Sequence, residues 1–250
     1  MIYSRPQELL SADLTCGLES VDVHCLTGQN WRGIFAPISA ITAAFTGLEE
    51  NILHDNETKV FSNIRAKSYR EAWLAGRVLA KHLYVNRCVS SQNFKWKDIL
   101  IVSRNSSGRA VPPRLFVNNI DTGFMFSLSH VADGVMVVVP TSTVSGIGCD
   151  LVYRESTTPG IVKTFFHESE INDGQGGISF DVIWAVKEAA YKSCNNGEAF
   201  QPRQWLTQRI EENRFFCRHL DSSRQLFAEA ETFNIGDYIV AVAEHCIGHF

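Results

Sequence analysis

Hydrophobic positions alternate in some segments of the chain and recur every three to four residues in others, which predicts strands interleaved with helices. In the first half, helical periodicity covers 38–64, with two polar breaks, and is stronger over 68–85. Ser68 and Glu71 have the spacing of a capping box at the start of this second helix. The predicted strands of this half are 21–26, 99–103, 115–117, 124–129 and 135–140, of which the last two form a hairpin.

The second half repeats this order of elements. A strand is predicted at 146–152, a helical segment at 161–172, a flexible glycine-rich loop at 173–177 and a helix at 180–193. Strands at 215–220, 226–233 and 238–244 follow, and a turn at 234–237 joins the last two. Both halves therefore contain a strand, helices and a closing hairpin in the same order.

The longest helix of each half carries a similar spacing of side chains. The residues are Trp73, Arg77 and Lys81 in the first half and Trp184, Glu188 and Lys192 in the second. With the shared element order, this match favours two related half-domains, 1–140 and 146–250, joined by 141–145 and related by a pseudo-twofold axis. Chance is the alternative, because Trp and Lys are not rare on amphipathic helices. The predicted fold class is α+β: two similar α/β half-domains, each an antiparallel sheet with packed helices.

Composition and charge narrow the class of protein. The chain has 250 residues, of which 45% are hydrophobic and 20% charged, as in a globular protein with ample core. Its net charge of -4 and pI near 6.1 argue against general nucleic-acid binding. No apolar run is long enough to predict a membrane span, and the N-terminal segment lacks the apolar core of a signal peptide. Seven scattered cysteines without a CxxC spacing argue against a zinc site or a disulfide framework, so a reducing, cytoplasmic setting is expected.

Candidate catalytic side chains lie on the helix predicted at 180–193. Trp184, Glu188 and Lys192 are four residues apart and therefore share one helix face. Asp150 lies where an apolar strand would end. Two carboxylates delivered from a strand end and a helix are suitable ligands for a hard cation such as Mg²⁺, and a lysine one turn away suits a phosphate or a proton transfer. Because Arg77 has the place in the first half that Glu188 has in the second, a site between them would suit an anionic phosphate ligand bridged by a metal.

Two signatures resemble those of the 4'-phosphopantetheinyl transferase superfamily. They are the segments 146–150 (GIGCD) and 184–192 (WAVKEAAYK). Segments at 75–77 (AGR), 108–109 (GR), 127–130 (SLSH) and 165–170 resemble further motifs of the larger, surfactin-synthetase-activating (Sfp) type. The resemblance covers roughly residues 20–245 and implies the fold of that superfamily, with the two halves of the larger type. Asp150-Leu151-Val152 looks more like the small, fatty-acid-synthase (AcpS) type, because larger members often have a glutamate in the place of Val152.

The resemblance also implies a reaction and roles for individual residues. Coenzyme A donates its phosphopantetheine arm to a serine of an apo acyl or peptidyl carrier protein, and adenosine 3',5'-bisphosphate is released. Mg²⁺, or Mn²⁺ as the alternative ion, is held by Asp150 and Glu188. These two residues and Lys192 form the catalytic set, with Glu188 or Lys192 as the base. Coenzyme A, as co-substrate, is contacted by Arg77, Lys81, Arg109, Ser129, His130, Asp150 and Lys192.

Each of these assignments has a structural alternative. Asp150 could close a turn, Glu188 could pair with Lys187 or Lys192 in solvent, His130 could be a surface residue and Lys81 could only cover core. Lys187 is a further candidate for the site. Trp73 and Trp184 are interpreted as core anchors rather than ligand stackers. The 173–177 loop and the five arginines between 203 and 224 either dock the carrier protein or are solvent-facing surface.

Two departures from the family pattern keep a second function open. Arg109 is followed by Ala110 where a proline is typical, and Val152 replaces a third carboxylate. The alternative function is a weakly active or inactive transferase-like module that binds a carrier protein. Either function involves coenzyme A and a carrier protein as partners, without nucleic acid or membrane, and a monomer is expected.

Overall fold

The computed structural model describes residues 18, 21, 23–88, 95–172, 177–195 and 197–246. The loop predicted at 173–177 lies outside the described residues except for Gly177. The strands are β1 (His24–Thr27), β2 (Trp31–Pro37), β3 (Ile99–Arg104), β4 (Ala110–Val117), β5 (Ile120–Asp121), β6 (Ser127–His130), β7 (Gly134–Pro140), β8 (Ile147–Tyr153), β9 (Trp205–Glu211), β10 (Arg214–His219), β11 (Phe227–Ile235) and β12 (Tyr238–Cys246). The helices are α1 (Ile38–Phe45), α2 (Glu49–Ile52), α3 (Asp55–Asn63), α4 (Lys67–Cys88), α5 (Pro159–Phe165), α6 (Glu168–Asn172) and α7 (Phe180–Cys194).

The first large sheet has the antiparallel strand order β1–β2–β7–β6. Strand β7 is buried along its whole length, because its two faces contact different layers. Val135, Val137 and Val139 belong to the core that also contains α4, whereas Met136 and Val138 face the second large sheet. Burial on both faces explains why β7 is an uninterrupted apolar segment rather than an alternating one.

The second large sheet has the antiparallel order β8–β12–β11–β10–β9, and helix α7 packs across β8, β12 and β11. Small side chains line this contact. They include Ala185, Ala189 and Ala190 of the helix and Ala241 and Ala243 of β12, all buried. Small residues allow the helix to approach the sheet closely, which places α7 directly against β8.

The two large sheets pack on each other through a shared apolar cluster. Its buried members are Trp31, Phe35, Met136 and Val138 from the first sheet and Ile147, Cys149, Leu151, Val240 and Val242 from the second. Strands β3, β4 and β5 form a smaller antiparallel sheet. The architecture is therefore α+β with antiparallel sheets, as the sequence predicted. Segment 141–145 lies between β7 and β8, and the division of the chain into two half-domains stays a prediction.

Most predicted elements are confirmed, including the β6–β7 and β11–β12 hairpins and helix α7. The capping box predicted at Ser68 is wrong. The helix begins at Lys67, and the Ala66 carbonyl already accepts the amide hydrogen bond of Arg70, so Ser68 lies inside the first turn. The carboxylate of Glu71 pairs instead with Lys67 at 3.8 Å.

Three other differences concern strands and helix breaks. Strands β2, β5 and β9 were not predicted, and the periodic segment 38–64 is divided into three helices. Strand β4 begins at Ala110 despite Pro112 and Pro113, because its register with β3 shifts between Val102 and Arg104 and leaves these prolines beside the irregularity. No helix in the described part of the chain has the length and apolar character needed to cross a membrane.

Candidate active site

The site is organised by the close approach of strand β8 to helix α7. A Cβ atom built on Gly148 would overlap the carbonyl oxygen of Ala189 and lie 2.6 Å from the backbone nitrogen of Ser193. A Cβ atom on Gly146 would overlap the carbonyl oxygen of Ser193. Since side chains two residues apart on a strand share a face, Asp150 points toward the same helix as the two glycines. Packing therefore explains the glycine spacing, and the same packing delivers Asp150 to α7.

Asp150 is 3% exposed and is held by side chains from two other elements. Its Oδ1 atom accepts hydrogen bonds from Ser129 Oγ at 2.8 Å and from Lys192 Nζ at 2.8 Å. Its Oδ2 atom is buried without a hydrogen-bond partner. Burial raises the pKa of Asp150 to about 7; Lys192 opposes this shift and Glu188 adds to it. A buried carboxylate oxygen without a donor is costly, and it is a ready ligand for a cation.

Lys192 lies between two carboxylates. Its Nζ atom donates to Asp150 Oδ1, to Ser129 Oγ at 3.2 Å and to the Cys149 carbonyl at 3.0 Å, and it lies 3.1 Å from Glu188 Oε1. Burial lowers the pKa of Lys192, but Asp150 and Glu188 more than offset this effect and hold the pKa above its usual value. The three donated hydrogen bonds account for all three ammonium protons, so Lys192 is a charged donor in this arrangement.

The donor set fits Mg²⁺ in part. Asp150 and Glu188 offer the oxygen ligands that this ion prefers, and Asp150 Oδ2 lacks any other partner. Among the described residues, no group of three or more His, Cys, Asp or Glu side chains is arranged to hold a metal ion. Val152 lines the cleft but supplies no ligand atom. Water would complete the coordination of an ion here, and Mg²⁺ commonly keeps several waters.

Strand β6 connects the two large sheets beside Asp150. Ser127 Oγ accepts a hydrogen bond from the backbone of β8 at 3.0 Å, and Ser129 Oγ donates to Asp150. Both serines are buried. His130 follows them and lines the same cleft; burial, and then the charge of Lys192, lowers its pKa. The predicted site residues Ser129 and His130 therefore lie next to the carboxylate.

A cleft of about 1250 Å³ joins these groups to cations from the first half of the chain. Its charged and polar lining includes Arg77, Arg104, Arg109, Ser129, His130, Asp150, Glu188 and Lys192. The volume exceeds the roughly 300–1,000 Å³ of ordinary small-molecule sites, so a ligand of cofactor size fits. The structure thus brings together all of the residues predicted to contact coenzyme A except Lys81.

Arg77 presents a buried guanidinium to this cleft. It is 5% exposed and lies over the Trp73 ring, 4.0 Å from the ring centroid. Its Nη2 atom donates to Ser103 Oγ at 3.0 Å, whereas its Nε atom has no hydrogen-bond partner and lies 3.8 Å from Glu57 Oε1. Burial lowers the pKa of Arg77 to about 10, against the opposing charge of Glu57. The guanidinium therefore remains a cation with unused donor capacity.

Lys81 lies outside the cleft, contrary to the coenzyme A contact predicted for it. Its side chain is fully buried. Its Nζ atom lies 2.5 Å from Glu57 Oε2 and donates to the carbonyls of Ile52 at 2.7 Å and Trp96 at 3.1 Å. Because its side chain is fully buried and does not line the cleft, Lys81 is not available to a ligand.

Lys187, the further candidate, is also buried away from the cleft. It is fully buried, and its Nζ atom donates to Glu170 Oε2 and to the Pro202 carbonyl at 3.2 Å. Although Lys187 precedes Glu188 in the sequence, the two side chains leave the helix in different directions. Lys187 therefore anchors α7 in the core and does not line the site.

The two buried lysine clusters share one pattern of contacts. In each cluster, a glutamate binds a lysine of a long helix, α4 or α7. The same glutamate accepts a hydrogen bond from a backbone amide of the next strand in the chain, β3 or β9. The members are Glu57, Lys81 and Ile101 in one cluster and Glu170, Lys187 and Thr207 in the other. In its contacts Lys81 therefore resembles the buried Lys187, and the match of Lys81 with Lys192 predicted from spacing does not extend to their contacts.

Trp73 and Trp184, which were interpreted as core anchors, both line the cleft and are only half-buried. Trp73 supports the Arg77 guanidinium. Trp184 makes edge-to-face contacts with Phe165 and Phe200, with ring centroids 5.7 and 5.8 Å apart. Each tryptophan thus forms part of the cleft wall and also stabilises its neighbours.

The arginines between 203 and 224 are partly neutralised by acidic neighbours. Arg224 pairs with Glu198 and with Asp221, the latter at 3.3 Å, and Arg214 lies 3.2 Å from Glu229. These exposed pairs favour the interpretation of this segment as solvent-facing surface. Docking of a carrier protein there stays a prediction.

Glu57 and Arg104 line the cleft but were not predicted from the sequence. Glu57 had a usable signal, because it follows His54 at capping-box spacing, and the His54 amide donates to it at 3.1 Å. The sequence contained no signal for Arg104, because nothing in it shows that the end of β3 faces the same cleft as Asp150.

Comparison with known proteins gives matches to part of the chain. The model of the 4'-phosphopantetheinyl transferase superfamily matches residues 146–243, which include Asp150, Glu188 and Lys192. A search of curated proteins gave no match. Among solved structures, a holo-(acyl-carrier-protein) synthase from Bacillus anthracis str. Ames in complex with CoA (3',5'-ADP) is 22% identical. That alignment covers 45% of this chain and 96% of the synthase, with a TM-score of 0.34, too low to support an argument.

Proposed function

We propose that this protein transfers the 4'-phosphopantetheine arm of coenzyme A to a serine of an apo acyl or peptidyl carrier protein, with Mg²⁺ or Mn²⁺ as cofactor. Adenosine 3',5'-bisphosphate is the other product. The observation that carries the proposal is the unpartnered, buried Oδ2 atom of Asp150, in a cleft that also contains Glu188, Lys192 and the guanidinium of Arg77. The superfamily match over residues 146–243 supports the same reaction.

Asp150 and Glu188 would hold the metal ion. When bound, the ion would offset the negative charge of the pyrophosphate and of the leaving group. Glu188 has a 29% exposed side chain, so it is accessible from the cleft, whereas Asp150 is enclosed. Asp150, on strand β8, would therefore fix the position of the metal ion, and Glu188, on helix α7, would face the substrate.

Lys192 acts as a charged hydrogen-bond donor and not as the base. All three of its protons are donated to protein oxygens, and the carboxylates on both sides stabilise the ammonium form. We assign Lys192, whose side chain is 22% exposed and lines the cleft, to a phosphate of coenzyme A that would replace one of these protein acceptors, and Glu188 to proton acceptance. The serine oxygen bonds to the phosphorus next to the pantetheine arm, the bond from that phosphorus to the bridging oxygen breaks, and the serine proton passes to Glu188.

The remaining cleft residues orient the donor. Arg77, Arg109 and His130 line the same cavity, and arginine forks match phosphate oxygens. Ser129 holds Asp150 Oδ1 at 2.8 Å and so keeps the second carboxylate oxygen directed away from the hydrogen-bonded side. Their share of catalysis is positioning and electrostatic stabilisation.

We further propose that the cleft lies between two half-domains, 1–140 and 146–250, related by a pseudo-twofold axis as in the larger transferase type. The matching Glu57–Lys81 and Glu170–Lys187 clusters support this arrangement. The strand pairing also supports it. In the first sheet β7 lies between β2 and β6, and in the second sheet β12 lies between β8 and β11 in the same way. A cleft built from one chain also favours a monomer.

A weakly active or inactive module that binds a carrier protein is the second candidate. Val152 is the observation that favours it, because the described residues offer only two carboxylates for the ion. The experiment that separates the two is incubation with coenzyme A, Mg²⁺ and a panel of apo carrier proteins, followed by intact-mass spectrometry. A phosphopantetheine mass shift on a carrier supports the transferase; carrier binding without a shift on any carrier supports the module.

A further inference from the structure

The two buried glutamate–lysine clusters differ by one charge. In the second half, Glu170 pairs with Lys187, and both side chains are fully buried. In the first half, Glu57 lies within 4 Å of two cations: 2.5 Å from Lys81 Nζ and 3.8 Å from Arg77 Nε. Among the described residues, no second carboxylate lies within 4 Å of these two cations, so the first cluster contains one excess positive charge.

This surplus charge is located at the cleft. Glu57 and Arg77 line the cavity, whereas Glu170 and Lys187 do not. Arg77 is 5% exposed and its Nε atom lacks a hydrogen-bond partner. A buried guanidinium is costly unless a carboxylate lies close by. Glu57 provides that carboxylate, 3.8 Å away, without accepting a direct hydrogen bond from Arg77 Nε.

The Glu57 carboxylate is itself fixed on both oxygens. Oε2 binds Lys81 and accepts from the His54 amide at 3.1 Å, and Oε1 accepts from the Ile101 amide at 3.1 Å. These partners lie on α4, on β3 and at the N-cap of the Glu57 helix α3, so the carboxylate cannot rotate away from Arg77. A group held in this way can orient its neighbour before a ligand arrives, which lowers the entropic cost of binding.

We propose that Glu57 is a positioning residue for Arg77. Lys81 and two backbone amides anchor its carboxylate, which holds the guanidinium over Trp73 and leaves its positive charge free for a phosphate group of coenzyme A. This inference rests on the proposed function, because that function supplies the phosphate ligand. The Glu170 cluster, in which no described arginine lies within 4 Å of the carboxylate, is the control within the same chain.

Two double variants test the proposal: Glu57→Gln/Lys81→Met and Glu170→Gln/Lys187→Met. Each replaces a buried ion pair by neutral groups. The first variant also removes the carboxylate nearest to Arg77, so we expect it to be the less stable of the two, and thermal unfolding checks that both fold. We expect the first variant to bind adenosine 3',5'-bisphosphate about 10-fold more weakly by calorimetry, and its KM for coenzyme A to rise similarly, with kcat within about 3-fold. The second variant should keep both binding values within about 2-fold of wild type.

A second measurement does not depend on any ligand. The Nε–H signal of Arg77 in a ¹⁵N spectrum, assigned by its loss in Arg77→Lys, should shift and exchange faster in Glu57→Gln/Lys81→Met but not in Glu170→Gln/Lys187→Met. If the first double variant does not fold, Glu57→Asp, which keeps the charge on a shorter side chain, should produce the same changes in smaller degree.

Equal nucleotide binding by both double variants, with an unchanged Arg77 signal, would overturn the positioning role. A different result would show that the proposed function is wrong. In that result, the wild-type protein binds neither coenzyme A nor adenosine 3',5'-bisphosphate, but the Arg77 signal still changes when Glu57 is replaced. In that case the positioning of Arg77 stands and the ligand assigned to it is wrong.

Discussion

Asp150 and Lys192 form a hydrogen-bonded ion pair, with Lys192 Nζ 2.8 Å from Asp150 Oδ1. The pair joins the middle of strand β8 to the last turn of helix α7 and leaves the other carboxylate oxygen buried and unpartnered. The prediction that Asp150 lies at the end of a strand is therefore wrong, because pairing with β12 continues to Tyr153. One residue from each of the two signatures is thus in direct contact.

Replacement of Lys192 by methionine should remove a phosphate contact while leaving the aliphatic part of the side chain in place. We expect kcat/KM for carrier modification to fall about 100-fold, in the range seen when one charged transition-state contact is removed. Lys192→Arg should retain part of the activity, because it keeps the charge in a different geometry. Steady-state kinetics check this, and wild-type kcat/KM in Lys192→Met would exclude the role.

Gly148→Ala should destabilise the protein by about 2–3 kcal/mol, because the added Cβ overlaps the backbone of α7. Gly160→Ala is the control, since its Cβ would come no closer than 3.9 Å to Thr158 Oγ1. Replacing a helical glycine by alanine should be neutral or stabilise by up to about 1 kcal/mol. Urea unfolding measures both; equal stability of the two variants would contradict the close approach of β8 to α7.

The Glu170–Lys187 pair predicts non-additive stability effects. Lys187→Met should cost about 3–5 kcal/mol, because it leaves Glu170 buried without a counter-charge, and the added Glu170→Gln change should recover most of this loss. Chemical denaturation of the single and double variants provides the measurement. A double variant less stable than Lys187→Met would show that the pair is not isolated in the core.

Thiol reactivity should follow burial. Burial raises the pKa of Cys149 and of Cys217 to about 12, so neither forms thiolate at pH 8 in the folded protein. Cys25 is exposed. Iodoacetamide labelling at pH 8, read by peptide mapping, should modify Cys25 readily and the two buried thiols only after denaturant is added. Early labelling of Cys217 in native protein would contradict the packing of β10 under α7.

The sequence predicted the elements that carry strong local patterns. Helix α7 and strand β8 were found from periodicity and from the glycines at 146 and 148, and the same pattern brought Asp150, Glu188 and Lys192 together. Strand β2 was missed because Trp31–Pro37 is buried on most positions and does not alternate. Local pattern also could not distinguish a buried lysine from an exposed one. Lys81 is buried because of Glu57, which lies on a different helix.

The central claim is that the cleft containing Asp150, Glu188 and Lys192 transfers phosphopantetheine. Its most direct test is the intact mass of an apo carrier protein after incubation with coenzyme A, Mg²⁺ and either wild-type protein or Glu188→Ala. The account predicts a phosphopantetheine mass increase with wild type, none with Glu188→Ala, and equal thermal unfolding of the two proteins. The same mass increase with both proteins, or none with wild type on any carrier, would contradict it.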